Sequence, residues 1–289
     1  MKKRHNKKPT VSVILPVYNA ELFIEDAVKS IQNQTLTDWE LLIVDDCSTD
    51  QTREVLTKLA HADSRIKVFL NSKNKGMAKS LNTLIPKTRG TYIARMDADD
   101  ISLPNRFEKQ VALLEKNKKL VACGGHEYII DAAGNTIGKK KFPINPAACR
   151  NIQLLFMAIQ PPVLMARGSV MRKLRYDTQG ARNGDDISMY FTLLQHGEFS
   201  NVDDFIFKYR VLKTSTTHSN VKKSFWMAFG VRMEALQSGT YRPNPLYLLL
   251  FLLETSLVAI IPSSVVKWLF EAFRHTSETS NTQVQSLKA

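Results

Sequence analysis

The sequence predicts an α/β fold: a doubly wound, mostly parallel sheet followed by a helical, partly apolar C-terminal tail. Three observations predict it. Apolar runs of strand length alternate with amphipathic helical stretches from Val11 to Lys116, at the spacing of βα units. Three of the acidic clusters stand where a run ends or a helix opens, at Asp45-Asp46, Asp97-Ala98-Asp99-Asp100 and Asp185-Asp186. From Leu246 the pattern changes to LYLLLFLLETSLVAIIP, nearly all apolar.

Taken in order, Val11–Tyr18 reads as the first strand and Glu21–Gln34 as the first helix. Trp39–Asp46 is the second strand, with a helix over about Gln51–Ala60. Ile66–Asn71 is a third strand, followed by a helix over Met77–Ile85. Thr91–Asp97 is a fourth strand, and Asn105–Lys116 an amphipathic helix. Beyond Val121 the alternation loosens. Gly124-Gly125 and Ala133-Gly134-Asn135 mark turns, with a hairpin between flanking strands. Asp186–His196 reads as a helix and Phe205–Val211 as a strand. The expected organisation is a basic tail at 1–9, one catalytic-sized domain at 10–215 and a helical segment at 216–289.

Composition narrows the class. The chain has 289 residues and is 44% hydrophobic, enough for a full core and too apolar for global disorder. Lys and Arg number 40 against 27 Asp and Glu, a net charge of +13 that favours anionic partners. The excess sits at Lys2, Lys3, Arg4, Lys7 and Lys8 and again at Lys208, Arg210, Lys213, Lys222, Lys223 and Arg232. The acidic clusters of the first half exclude a uniformly basic nucleic-acid coat, and no nucleic-acid motif is visible. Three cysteines, Cys47, Cys123 and Cys149, without a C-x-x-C pair suggest neither a disulfide framework nor a zinc site. The basic start is not followed by an apolar segment with a cleavage site, so no signal peptide is expected and a reducing cytosol fits. The run from Leu246 is interrupted by Glu254, Thr255 and Ser256 and ends at Pro262, short of the roughly 20 residues that span a bilayer. It reads either as a buried helical hairpin or as a segment lying on a membrane surface.

The chemistry is expected beyond the carboxyl ends of the strands. Neither G-x-G-x-x-G nor G-x-x-x-x-G-K is present, so backbone amides alone are not set to grip a phosphate. Asp97 and Asp99, two apart on an extended chain, share a face. Two convergent carboxylates suit a hard divalent cation, Mg²⁺ or Mn²⁺, able to bridge diphosphate oxygens. Ser48 followed by Gln51 forms a capping-box pattern, and Asp50 falls in the first helical turn. Asp45 and Asp46 precede that cap and are free to accept a base N–H or ribose hydroxyls. Tyr18 stands at the neighbouring strand end, where its ring could stack on a base or fill the core. Of Asp185 and Asp186, one can cap the predicted helix and the other can act as a base toward a hydroxyl nucleophile.

The stretches VSVILPVYNA, SIQNQTLTDWELLIVDDCSTDQT, NKGMAKSLN, GTYIARMDADDISLPNRFEKQ and GDDISMYFTLL, spanning about Pro9 to Leu194, resemble bacterial family 2 glycosyltransferases in order and spacing. The resemblance implies a GT-A fold and inverting, metal-dependent transfer of a sugar from a nucleotide-diphosphate donor to a hydroxyl, in surface polysaccharide or glycan synthesis. It implies that Pro16, Tyr18 and Asn19 hold the nucleotide. Asp46, with Asp45 beside it, matches the base-binding carboxylate, usually for uracil. Lys75 and Gly76 line the donor pocket, with Asp97 and Ala98 adjoining it. Asp97 and Asp99 match the metal-binding D-x-D, with Asp100 as an alternative ligand, and Asp185 or Asp186 the base, with Asp186 preferred. The implied partners are a nucleotide-sugar and a glycan or lipid-linked acceptor. The apolar run from Leu246, with Lys222, Lys223, Arg232 and Arg242 before it, leads to an expected peripheral location on the cytoplasmic face of the inner membrane. The chain departs from the pattern where many members carry Glu-Asp before a Trp-containing helix; here the pair is Asp-Asp, followed by Tyr190. Gln160 precedes Pro161 and Leu212 follows Val211 where His is common, with His218 a nearby substitute. A non-catalytic protein of the same fold is the competing reading, and the intact carboxylate set weighs against it.

Overall fold

The structure is a computed structural model and describes residues 8–178, 185–212, 221–262 and 265. Its first half follows the expected alternation: β1 (Val11–Val17), α1 (Ile24–Gln32), β2 (Trp39–Asp45), α2 (Thr52–Ala62), β3 (Ile66–Leu70), α3 (Met77–Leu84) and β4 (Tyr92–Arg95). Then come β5 (Ile101–Ser102), α4 (Arg106–Lys116), β6 (Leu120–Ile130), β7 (Thr136–Lys140), α5 (Pro146–Ile152), β8 (Met165–Arg167) and α6 (Gly168–Met171). The last elements are α7 (Asp185–Leu194), β9 (Glu198–Arg210), α8 (Val221–Gln237) and α9 (Pro245–Ile260).

One nine-stranded sheet runs β3-β2-β1-β4-β8-β6-β9-β5, with β7 pairing with β6 at Glu127–Ile130, beyond the stretch that pairs with β8. The first four strands are parallel. β8 is antiparallel to both β4 and β6 and joins the halves, while β6 and β9 run parallel over their length. β1 and β2 are buried at every position, as central parallel strands covered on both faces must be.

The amino ends of the strands are closed by a buried polar knot. Glu40 accepts from Ser12 Oγ at 2.7 Å, from the Arg89 amide and guanidinium, and from Lys67 Nζ at 3.2 Å. Burial alone would raise the Glu40 carboxyl, but these donors outweigh it and hold it below its ordinary range. The carboxyl ends of β1, β2 and β4 are left for loops.

Three departures from the sequence reading have physical causes. β6 passes straight through Gly124-Gly125, which marked a turn. A Cβ on Gly124 would lie 2.6 Å from Ile159 Cγ2, and one on Gly125 2.5 Å from Ile206 Cγ1, so these glycines permit close packing across the sheet. The turn falls only at Asp131–Asn135, where Gly134 has φ +90° and Asp131 Oδ1 accepts the Asn135 amide. β9 begins seven residues before the expected Phe205, through a polar stretch whose register against β6 shifts at Gly125–Glu127.

The third departure concerns the tail. The buried-hairpin reading fails for α9, which buries only Phe251, stacked on Phe229 of α8. Leu246, Leu248, Leu249, Leu250, Leu252, Leu253, Leu257 and Ile260 are all exposed. Among the described residues no helix is long and apolar enough to cross a membrane. α8 packs on α7, and Tyr241 beyond it meets Phe191 edge-on. The basic residues at 2–7, Lys213, His218 and the expected boundary at 215 lie outside the described residues, as does 266–289.

Gly90 tests the knot. A Cβ there would sit 2.6 Å from the Tyr92 carbonyl oxygen and 2.8 Å from Ser12 Oγ, and the backbone atom has nowhere to go. Gly90→Ala is expected to cost about 1–3 kcal/mol of stability, read by thermal or urea denaturation.

Candidate active site

The loops after β1 and β2 are laced together by side chain to backbone bonds. Asn19 donates its amide to Ser48 Oγ at 3.0 Å, and its Oδ1 accepts the Thr49 amide at 2.8 Å. Ala20 N donates to Thr52 Oγ1, Glu21 N to Asp50 Oδ2, and Gln51 N to Glu21 Oε2. Ser48 therefore does not cap its own helix as the S-x-x-Q pattern predicts; its hydroxyl is taken by the neighbouring loop, and α2 starts at Thr52 without a capping side chain. Asp50 is structural as expected, accepting the Thr52 amide as well. Asn19 (φ +49°) and Cys47 (φ +67°) are the two non-glycine residues in the left-handed region among the described residues, one in each loop. Pro16 is buried within β1, opposite Val44, and Tyr18 stands 50% exposed at the tip.

Asp45 and Asp46 part company. Asp45 has no exposed surface; it accepts the Ser48 amide at 2.9 Å and faces Arg53 Nε at 3.4 Å. Its carboxylate builds the turn and offers no surface to a ligand. Asp46, 4% exposed, reaches the loop before α3. Its Oδ1 accepts Asn71 Nδ2 at 2.7 Å and the Lys75 amide at 2.9 Å, and its Oδ2 accepts the Gly76 amide at 2.7 Å. A carboxylate has about four lone-pair sites, so one on Oδ2 remains. Lys75 Nζ folds back to Asn71 Oδ1, and Gly76, at φ +84°, opens α3.

After β4 the chain alternates as an extended segment does: Asp97 and Asp99 are partly exposed, Ala98 and Asp100 buried. Asp100 is turned inward, its Oδ1 accepting the Arg210 amide at 2.8 Å while Oδ2 has no partner. Burial, then Asp99 and Asp97, drives its carboxyl well upward. The Arg210 guanidinium fixes the backbone here, donating to the carbonyls of Asp99, Asp131 and Ala132. Asp99 is pushed up to about 6 by burial and by Asp97.

Arg95, the last residue of β4, faces Asp97 at 3.1 Å through Nε and donates through Nη1 to Asp186 Oδ1. That bond brings α7 to the end of β4. Asp186 is raised by burial, against the pull of Arg95. The hydroxyls of Tyr176 and Tyr190 are buried without partners, both in the surroundings of Arg95 and Asp186. Asp185 begins α7; its side chain, with Asn183 and Gly184, lies outside the described residues. Where the family pattern commonly has His, Gln160 accepts from Lys140 at 3.4 Å and Leu212 is half-buried.

Of the residues named from sequence, Asp97, Asp99 and Asp186 come together. Asp46, Lys75 and Gly76 form a second group across α3, whose first residue, Met77, contacts Arg95 through its sulfur. Sequence reading missed Arg95, although a signal was present: Arg95, Asp97 and Asp99 are each two apart, so the cation shares the D-x-D face. Two surface hollows, of about 420 and 140 Å³, lie away from these residues, along Lys109 to Asp203 and between α7 and α8.

The strain among the carboxylates is measurable. An Asp whose folded pKa is raised from 3.8 to about 6 destabilises the fold once ionised, fully above 6 and not at all below its unfolded value. Asp99→Asn is expected to raise the melting temperature at pH 7, with the gain shrinking to nothing as pH falls through 6 to below 4. A melting temperature unchanged at pH 7 would show the repulsion to be relieved another way.

Comparison with known proteins agrees with this geometry. The family described as "Glycosyl transferase family 2" matches residues 12–213. EpsE of Bacillus subtilis, named as a glycosyltransferase, is 34% identical over 209 residues, 71% of this chain and 74% of EpsE. WfgD of Escherichia coli, a UDP-Glc:alpha-D-GlcNAc-diphosphoundecaprenol beta-1,3-glucosyltransferase, is 41% identical over 119 residues, 41% of this chain and 46% of WfgD. Among solved structures, the mannosyltransferase PcManGT from Pyrobaculum calidifontis, in complex with GDP-Man and Mn²⁺, superposes with a TM-score of 0.59. That match covers 95% of this chain and 89% of PcManGT at 14% identity, which speaks to the fold alone. The fold is of the GT-A type, and the chain belongs to glycosyl transferase family 2.

Proposed function

We propose that this glycosyltransferase is inverting and dependent on a divalent cation, and moves a sugar from a uridine diphosphate donor to a hydroxyl of a lipid-linked glycan. The observation that carries the reading is the meeting of Asp97, Asp99 and Asp186 beyond the carboxyl ends of the strands. The uridine and the lipid-linked acceptor are carried over from the printed name of WfgD.

The nucleotide would lie across the ends of β1 and β2. Tyr18 offers an exposed ring for stacking. Asp46 keeps one lone pair for a base N–H, and the Lys75–Gly76 loop that it anchors borders the donor. Asp97 and Asp99 would hold the cation, with Pro16, Asn19 and Ala98 shaping the walls. The residues fit such an ion: Asp97 and Asp99 are both partly exposed on one side of the chain, and burial together with Asp97 raises Asp99; Asp100, turned inward, is not in place as the alternative ligand. Among the described residues no three His, Cys, Asp or Glu form a complete cage, so the donor's phosphate oxygens would complete the shell. A bound cation would supply charge to the departing diphosphate. Asp186 would accept the acceptor's proton; in support, its side chain is 28% exposed and Arg95 engages only Oδ1. Attack opposite the departing diphosphate inverts the anomeric centre.

The exposed apolar face of α9 favours attachment to a membrane surface. The stripe Tyr247, Phe251, Glu254, Thr255 and Val258 turns inward, and every charge is absent from the remaining face. Basic residues stand at both ends: Arg242 before α9, and Lys222, whose Nζ donates to the Ile261 carbonyl, at its close. In this reading the enzyme works on the cytoplasmic face, where a lipid-linked acceptor would be within reach.

Two experiments test these readings. With donor and acceptor supplied, chelation is expected to abolish transfer and Asp186→Asn to slow it by about 10²–10⁴ while nucleotide affinity survives; full turnover in excess EDTA would remove the cation from the scheme. Sedimentation with anionic vesicles is expected to weaken with salt and to be lost in Leu249→Glu/Leu253→Glu. Undiminished binding by that variant would move the anchor elsewhere.

A further inference from the structure

Arg95 is 2% exposed, yet it touches two carboxylates that are both partly exposed. The side chains of Asp97 and Asp186 are 22% and 28% exposed, against 3% for Arg95. The guanidinium therefore grips each carboxylate from behind and leaves an outer edge free. Its Nη2 also contacts Met77 Sδ at 2.9 Å, and the Arg95 backbone is fixed at both ends, N to the Leu164 carbonyl and O to Arg106 Nη2. A planar fork held this rigidly fixes the separation and orientation of whatever it binds.

We infer that Arg95 is a positioning residue that holds the base Asp186 in place and ties its orientation to the donor-side carboxylate Asp97. This rests on the reading of Asp186 as the base. Asp97 and Asp186 share one cation, so each competes with the other for it. With a divalent cation held by Asp97 and Asp99, Asp97 would draw less on Arg95, and the guanidinium would then serve Asp186 alone. The base is thereby held most firmly when the donor side is filled. The same sharing makes Arg95 a competitor of the cation for Asp97.

That competition separates a positioning role from a merely structural one. In Arg95→Gln, kcat for transfer is expected to fall about 10²-fold or more, the scale of a lost base, while free Mn²⁺ binds several-fold more tightly, read by paramagnetic resonance without donor. A residue that only supported the fold would lose both together. Arg95→Lys keeps the charge without the fork and is expected to lose most of the same kcat; it serves if Arg95→Gln does not fold. In Asp186→Asn, adding Arg95→Gln is expected to cost little more, because residues that act as a unit are non-additive. Retained kcat in both Arg95 variants, or a fall in Mn²⁺ affinity with kcat, overturns the inference. A double variant slowed by the full product of the single losses overturns it while leaving Asp186 as the base. Near-normal transfer in Asp186→Asn removes the base reading, and the inference goes with it.

Discussion

A guanidinium inside a protein must find acceptors for all five of its N–H groups, and meeting that demand for Arg106 shapes the loop that carries the candidate site. Arg106 has no exposed surface. Its Nε donates to Gln110 Oε1, Nη1 to Ser102 Oγ with Met96 Sδ alongside, and Nη2 to the carbonyls of Arg95 and Pro162. None of these acceptors is a carboxylate. Burial accordingly pulls its pKa down to about 9, although Cys123, Asp100 and Asp97 favour the charged form. The consequence is geometric. Chain from Arg95 to Ser102 wraps the cation, so that Asp97 and Asp99 turn outward and Asp100 inward. The same carbonyl of Arg95 that satisfies Arg106 fixes the root of the side chain that reaches Asp186.

The two ends of the parallel strands are built for different purposes. At the amino end Glu40 collects donors until its carboxyl is held down, an arrangement in which every charge has a partner. At the carboxyl end the pattern reverses: Asp99 and Asp186 are held up, Asp100 keeps an oxygen without a donor, and Asn19 and Cys47 adopt backbone conformations that side chains seldom take. Strain and unsatisfied charge gathered at one end of a sheet are what a site pre-organised for a charged ligand looks like before the ligand arrives.

How far the sequence could be read follows the range of the forces involved. β1 to β4 with their helices, and α4, were legible because hydrophobic periodicity is local, and the boundaries differ by a few residues at most; the two-residue β5 was not. The face shared by Asp97 and Asp99 was legible for the same reason. Partners were not. Ser48 carries a local capping signal, but the fold brings the Asn19 amide of the neighbouring loop to its hydroxyl instead. Asp45 and Asp46 are adjacent and alike in sequence; only the fold turns one into the β2 turn and aims the other at Lys75 and Gly76. The pairing of Arg95 with Asp186 spans 91 positions, beyond the reach of any local pattern. Gly124-Gly125 misled because glycine also marks close approach, here to Ile159 and Ile206.

The C-terminal helices belong to the same mechanical unit as the candidate base. α7 carries Asp186 on its first turn and lays Phe191 against Tyr241, while α8 packs along it. Arg232 of α8 donates to the Leu155 carbonyl, and burial lowers its pKa against the pull of Glu254 on α9. Phe229 of α8 stacks on Phe251, the one residue that α9 buries completely. A stack of packed helices, α7 on α8 and α8 on α9, thus connects the element that carries Asp186 to the one with the apolar face. Packed interiors transmit position because they have little room to deform. If α9 rests on a bilayer, the stack sets the height and tilt of the base above it, and an acceptor hydroxyl tethered to lipid meets the base at a fixed distance from its anchor. Such a surface-bound arrangement replaces a search through bulk solvent with one across a plane, the kind of restriction by which positioning lowers a barrier.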